Sequence, residues 1–221
     1  QADLVMQALN QLNVTNLSAL TTQTTLPLAE LEKQLNELES AGEVIFLSKH
    51  PHPVKTQLIS GQNWKSITTH ILETLSEFHR NNPLKAGISR ELLKSGLKLS
   101  QEPFDLILEN MSQQGNLVER GTLVWAANHS ILLTPEQETQ SAAFLAKFKE
   151  TPFSPPDVIE AEAVLGLNLL EGLIATDRLI RVSDAVLFLP ETMEVMKSWV
   201  RASIMVNGSL SLAQFRDHFQ T

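Results

Sequence analysis

The stretch Gly115-Asn116-Leu117-Val118-Glu119-Arg120-Gly121-Thr122-Leu123-Val124-Trp125 reads as a tight hairpin, two short apolar-rich runs turning at Gly121. Immediately before it, Phe104, Ile107, Leu108 and Met111 fall at helical spacing and form one apolar stripe that ends at Gly115. The same order occurs earlier. Leu28, Leu31, Leu35 and Leu38 mark a helix that starts behind Pro27 and ends at Gly42, followed by a strand over Glu43-Val44-Ile45-Phe46-Leu47. A polar, Pro-containing loop from Lys49 to Lys55 leads to a returning strand, Gln57-Leu58-Ile59. It occurs again later, with a helix around Ala163 to Ile174, strand Arg178 to Val182, and a return over Ala185 to Leu189.

Gly42-Glu43-Val44-Ile45, Gly115-Asn116-Leu117-Val118 and Asp177-Arg178-Leu179-Ile180 thus share one slot, at intervals of 73 and 62 residues. The helices between them complete the pattern. Trp64, Ile67, Ile71, Leu75 and Phe78 mark a long helix that stops before Pro83, and Ser89 caps a short one from Arg90 to Ser95. A helix behind Thr134-Pro135 runs to about Lys149, and Pro155-Pro156 precede another short helix. Glu191 to about Val206 restarts the cycle, and Leu210 to Asp217 reads as the second helix of a fourth copy. Three helices and a two-stranded wing per roughly 60–70 residues is the winged-helix pattern. The expected fold is mainly α with small β wings, a tandem array in an extended or L-shaped arrangement. Its domains are 1–62, 63–131, 132–190 and the incomplete start of a fourth, 191–221. Asn128 to Pro135, between the second and third copies, is a candidate hinge.

Composition limits what such an array does. The 221 residues carry 17 Lys+Arg against 25 Asp+Glu, a net charge of −8, which repels a duplex from the chain as a whole. The first copy is net −3, the second zero, the third −5 and the fourth segment zero. Zero Cys excludes disulfides, thiolate metal sites and Cys nucleophiles, and zero Tyr with 5% aromatics argues against binding single strands on stacked rings. The nine glycines include no pair at phosphate-loop or dinucleotide-fingerprint spacing. No run approaches the length of a membrane span. The chain opens without Met and with no signal-peptide pattern, so it is expected to be part of something longer.

Two stretches resemble a known family. Phe78-His79-Arg80-Asn81-Asn82-Pro83-Leu84-Lys85-Ala86-Gly87-Ile88-Ser89-Arg90-Glu91-Leu92 is similar to the second C-terminal winged-helix domain of SelB, the bacterial selenocysteine-specific elongation factor. Gly208-Ser209-Leu210-Ser211-Leu212-Ala213-Gln214-Phe215-Arg216-Asp217 resembles the opening of that family's fourth domain. The resemblance implies an arm that joins a GTPase and selenocysteyl-tRNA-binding part to an mRNA hairpin, the SECIS element, beside a UGA codon. The hairpin would be gripped mainly by the part of the fourth domain not in this sequence. GTP and magnesium, selenocysteyl-tRNA and the ribosome would be engaged by the parent protein. The location implied is cytoplasmic, with no membrane partner, and the chain is expected to be a monomer. For this chain the expectation is no catalysis, no cofactor and no metal.

The candidate RNA contacts are Arg216, in the matched Gln214-Phe215-Arg216-Asp217 segment, and Lys197 and Arg201, four apart on the fourth copy's first helix. Each competes with a plainer role as a solvated or ion-paired side chain. The same holds for a stripe of Arg90, Lys94 and Lys98, with Lys85 nearby. Arg178 and Arg181, three apart on a strand, are expected to face opposite ways, at least one pairing with an acid such as Asp177 or Asp184. His79 is expected to act as a helix-end cation, Trp64, Trp125 and Trp199 as core anchors, and His50 and His52 as a wing tip rather than metal ligands. Glu136 and Glu138 suit a helix start, not a catalytic pair. Two other readings stay open: a DNA-binding regulator and a protein-binding scaffold. Against the first, the helix from Pro27 to Ala41 carries four acids and Lys33 alone, the wrong sign for a major groove.

Overall fold

The computed structural model describes residues 1–48 and 55–220. Two compact units divide them: residues 1–81 with 87–129, and residues 82–86 with 130 onward.

The first unit contains one element order twice. It begins with α1 (Ala2–Leu12), β1 (Thr15–Asn16), α2 (Leu17–Thr24), α3 (Leu28–Ser40), β2 (Val44–Phe46) and β3 (Gln57–Ser60). There follow α4 (Gly61–Asn81), β4 (Ile88–Ser89), α5 (Arg90–Leu97), α6 (Gln101–Gln113), β5 (Leu117–Arg120) and β6 (Leu123–Ala126). Each copy pairs its strands antiparallel with the last strand central, in the orders β1-β3-β2 and β4-β6-β5. The registers correspond: Thr15 opposes Leu58 and Val44 opposes Ser60, while Ile88 opposes Val124 and Leu117 opposes Ala126. Three helices backed by a small sheet, twice over, is the winged-helix fold anticipated from the hairpin.

Helix α6 shows how sequence builds this. Phe104, Ile107, Leu108 and Met111 are all fully buried, with Leu93, Ile71, Leu75 and Val124 around them. Gly115 then takes φ +73°, a conformation that favours glycine, and the Asn116 amide donates back to the Met111 carbonyl. That reversal starts the wing. The first copy's core is separate at its centre, where Val5, Leu9, Leu20, Leu31 and Leu35 are shielded, but Leu47 and Ile59 face the second copy's core. There the Asn110 side-chain amide donates to the Leu47 carbonyl at 2.9 Å.

In the second unit, α7 (Pro135–Glu150), α8 (Val158–Leu165), α9 (Leu167–Ala175), β7 (Ile180–Arg181) and β8 (Leu187–Phe188) form a third set. Helices α10 (Pro190–Asn207) and α11 (Leu212–Phe219) come after it. Phe144, Phe148, Leu170, Leu173, Leu179 and Leu187 are buried together. Leu84, from residues 82–86, joins this core, so close to Gly172 that a Cβ there would lie 3.4 Å from the leucine's own. The boundary at His129/Ser130 falls inside the expected Asn128 to Pro135 stretch, but residues 82–86 were not expected on the far side of it.

Three local features differ from what the sequence pattern predicts. The helix expected around Ala163 to Ile174 starts only at Leu167, because Gly166 adopts φ +77° and ends the short helix α8, which takes in Ala163 to Leu165. The third wing is shorter than expected: only Ile180–Arg181 and Leu187–Phe188 pair, so Arg178 lies before the strand. Finally, α5 continues through Gly96 to Leu97.

One local device occurs four times. Helices α2, α5, α8 and α11 each have eight residues. Each is preceded by an N-cap whose side chain accepts from the amide three residues on: Asn16, Ser89, Asp157 and Ser211. Each is followed by a residue with positive φ: Thr25, Lys98, Gly166 and Gln220. Between the first two copies the correspondence is gapless at an interval of 73 from the cap through α3 and α6 into the wing.

Candidate nucleic-acid interface

Arg216 sits in the last turn of α11 and is exposed, with no ion pair among the described residues. Its helix is fixed at its start by a reciprocal cap between Ser211 and Gln214. It is held to α10 by rings: Trp199 stacks on His218 at 4.2 Å between centroids and meets Phe215 and Phe219 edge-on. Lys197 and Arg201 lie four apart on α10, three and seven residues after the acid that engages them. Lys197 donates to Glu194 at 2.8 Å, and Arg201 acts on the same carboxylate. The hydrogen bond from Lys197 is the main reason the Glu194 carboxyl titrates below its usual range. Lys197 and Arg201 therefore share one local field with Glu194, whereas Arg216 stands on the next helix without such a partner.

The second copy carries the other concentration of cations. Arg90, at the start of α5, is tied to Asp105 of α6 at 2.6 Å and to Glu119 of the wing, and its guanidinium lies 5.5 Å from the Phe104 ring centre. Asp105 titrates below its usual range, chiefly because the Gln101 amide donates to it, with Arg90 and Lys94 adding their charge. Arg90 is thus a clamp between helix and wing. Lys94 donates to Gln101 at 2.5 Å. We expect Arg90→Ala to lower stability by about 1–3 kcal/mol, since it leaves two partly covered carboxylates facing each other. A urea midpoint unchanged from the parent chain would contradict that clamp.

The remaining expectations meet mixed outcomes. Arg178 and Arg181 are both paired, but with Glu138 of α7 at 2.8 Å and Glu171 of α9 at 2.9 Å rather than with Asp177 or Asp184. Glu138 is accordingly a structural acid. Trp64, Trp125 and Trp199 are only half-buried, so they edge the cores instead of anchoring them. His50 and His52 lie outside the described residues. Among those described, no group of three His, Cys, Asp or Glu is placed to hold a metal ion. No helix of the described residues is long and apolar enough to cross a membrane.

His79 overturns its expected role as a helix-end cation. It is 8% exposed, and its ring stacks on His129 at 3.5 Å and 11°, with neither of its nitrogens hydrogen-bonded. Burial, and secondarily the neighbouring His129, push its pKa down to about 4, so it is neutral near pH 7. The stack joins residues fifty apart, and no local pattern announces it.

Fold and surface together define a chain of winged-helix modules in which the second copy carries the most cations, seven of the 17. Residues 72–124 match the family described as elongation factor SelB, winged helix. That span contains the whole Phe78 to Leu92 segment on which the resemblance rests, and the resemblance to SelB holds there. Among solved structures, the mRNA-binding domain of elongation factor SelB from E. coli in complex with SECIS RNA is similar to this chain. The two share 11% identity with a TM-score of 0.43, over 57% of this chain and 95% of that one. The comparison with curated proteins found no match.

Proposed function

We propose that this chain is the winged-helix arm of a SelB-type elongation factor for selenocysteine incorporation at UGA codons. The observation that carries the reading is the SelB winged-helix match over residues 72–124, in the second of the repeated modules. In this reading the arm does no chemistry. GTP, magnesium and selenocysteyl-tRNA are handled by another part of the parent protein in the cytoplasm. The arm raises the local concentration of loaded factor at its message by binding an mRNA hairpin, a linkage effect needing no catalytic group. The domain partition is 1–62, 63–131, 132–190 and the opening of a fourth from 191. Arg216, Lys197 and Arg201 are the fourth copy's contacts with hairpin phosphates. The acidic first and third copies act as spacers that phosphates do not favour.

The test is a titration of this chain with a stem-loop RNA taken from beside an in-frame UGA codon, at several salt concentrations. Replacing Arg216 by Ala is expected to weaken binding and to reduce the slope of log affinity against log salt by about one. If the chain with Lys197, Arg201 and Arg216 all replaced by Ala binds with unchanged affinity and slope, the assignment of these contacts is wrong.

A further inference from the structure

The four eight-residue helices allow position-by-position comparison. Counting from each cap, the fifth helical residue is Thr21 in α2, Lys94 in α5, Glu162 in α8 and Arg216 in α11. Lys94 therefore occupies in the second copy the position that Arg216 occupies in the fourth. The two remaining copies have a neutral hydroxyl and an acid there.

Lys94 does not stand alone. It lines an open groove of about 820 Å³ on the second copy, together with Arg90, Glu91, Ser95, Lys98, Gln101 and Phe104, so that three cations stand there against one acid. Lys98 follows Lys94 by four, on the residue whose positive φ ends the helix, so it is presented where the chain turns away. Arg90 is already held by Asp105 and Glu119 and lies against Phe104, which leaves the two lysines as the groove's outward cations. The first copy serves as an internal control. At the corresponding positions, 73 residues earlier, it carries Thr21 and Thr25 in place of Lys94 and Lys98. The difference is in side chains, since the helix lengths are the same in both copies. A surface that keeps its fold while two lysines stand in place of two threonines suits a polyanion.

We infer that the groove between α5 and α6 is a second RNA-contact surface, in which Lys94 and Lys98 engage successive phosphates of an RNA backbone. The inference rests on the RNA-binding reading above and extends it to a different module. Phosphate contacts of this kind position the chain on RNA and carry no base specificity. Contact by the second copy would therefore be indifferent to hairpin sequence, in contrast to a site reading base edges.

The experiment uses the full chain and two RNAs, a UGA-adjacent stem-loop and an unrelated stem-loop, over a salt series. Lys94→Ala with Lys98→Ala is expected to reduce the salt slope by about 1–2 on both RNAs, and the double Lys→Arg variant to retain it. Unfolding midpoints of both variants are measured alongside, so that loss of binding is separated from loss of fold. An unchanged slope in the double Ala variant overturns the inference whatever Arg216 does. A reduced slope there, with no effect of replacing Lys197, Arg201 and Arg216, sustains the groove and overturns the fourth-copy assignment instead. Absence of any RNA binding by the intact chain overturns it. So does displacement of RNA from the groove by an acidic peptide at lower concentration than by competing RNA.

Discussion

Replacing Phe104 by Ala is expected to destabilise the first unit by about 3–5 kcal/mol. The ring is fully buried at the start of α6, among Ile107, Leu108, Met111 and Leu93. Removing it deletes transferred apolar surface and leaves a cavity that two flanking helices and a sheet prevent from closing. It also strips the Arg90 guanidinium of its aromatic neighbour, 5.5 Å away. Urea denaturation followed by far-UV circular dichroism measures the effect. Leu92→Ala, at a side chain 58% exposed, is the matched control and should lose less than about 1 kcal/mol. Equal losses at the two positions would mean that Phe104 is not the centre of this core.

The second large effect is one of acidity. His79 has a folded pKa of about 4 against an ordinary 6.5. The unfolded chain therefore takes up a proton at this residue at higher pH than the folded chain does. Stability from this residue is complete above pH 6.5 and declines as pH falls toward 4. At about 1.36 kcal/mol per pH unit, the decline totals about 3 kcal/mol. Asp105 has a depressed pKa as well, so its own contribution disappears only at still lower pH, below the ordinary carboxylate range. Unfolding free energies at pH 7.5, 6, 5 and 4.5 isolate the His79 window. His79→Phe should flatten the curve between pH 6.5 and 4.5, and a slope that persists in that variant would place the titrating group elsewhere.

The wings and their preceding helices were legible because each rests on a nearby signal: an apolar stripe, a glycine with positive φ, and two strands a few residues apart. Residues 1–26 gave no comparable signal. Helix α2 has only two turns and buries Leu17, Leu20 and Thr24, too few apolar positions to establish a period. It becomes readable only when Asn16 is set against Ser89 at the interval of 73. The break at Gly166 was hidden by the apolar sequence on both sides of it, which continues a helical pattern across a residue that ends one. At least one of Arg178 and Arg181 was expected to pair with an acid, and both do. Their actual partners, Glu138 and Glu171, lie on two other helices, where strand geometry has nothing to say. The His79–His129 stack and the Arg90 bridge to Glu119 depend on tertiary closure in the same way. At the candidate interface, the sequence located the cations but not their company. Only the packed structure separates Arg90, consumed by two carboxylates, from Lys94, which lines an open groove.

Leu84 sets a rule for dissecting this protein. It is only 9% exposed in the core of the later unit, yet it is encoded more than forty residues before Ser130, where the rest of that unit starts. A polypeptide begun at Ser130 omits part of its own interior and bares the surface at Gly172 that the leucine covers. Equally, one ended at His129 carries an apolar side chain with no home. Gene boundaries drawn between modules would cut through a packing arrangement that the linear order of the chain conceals.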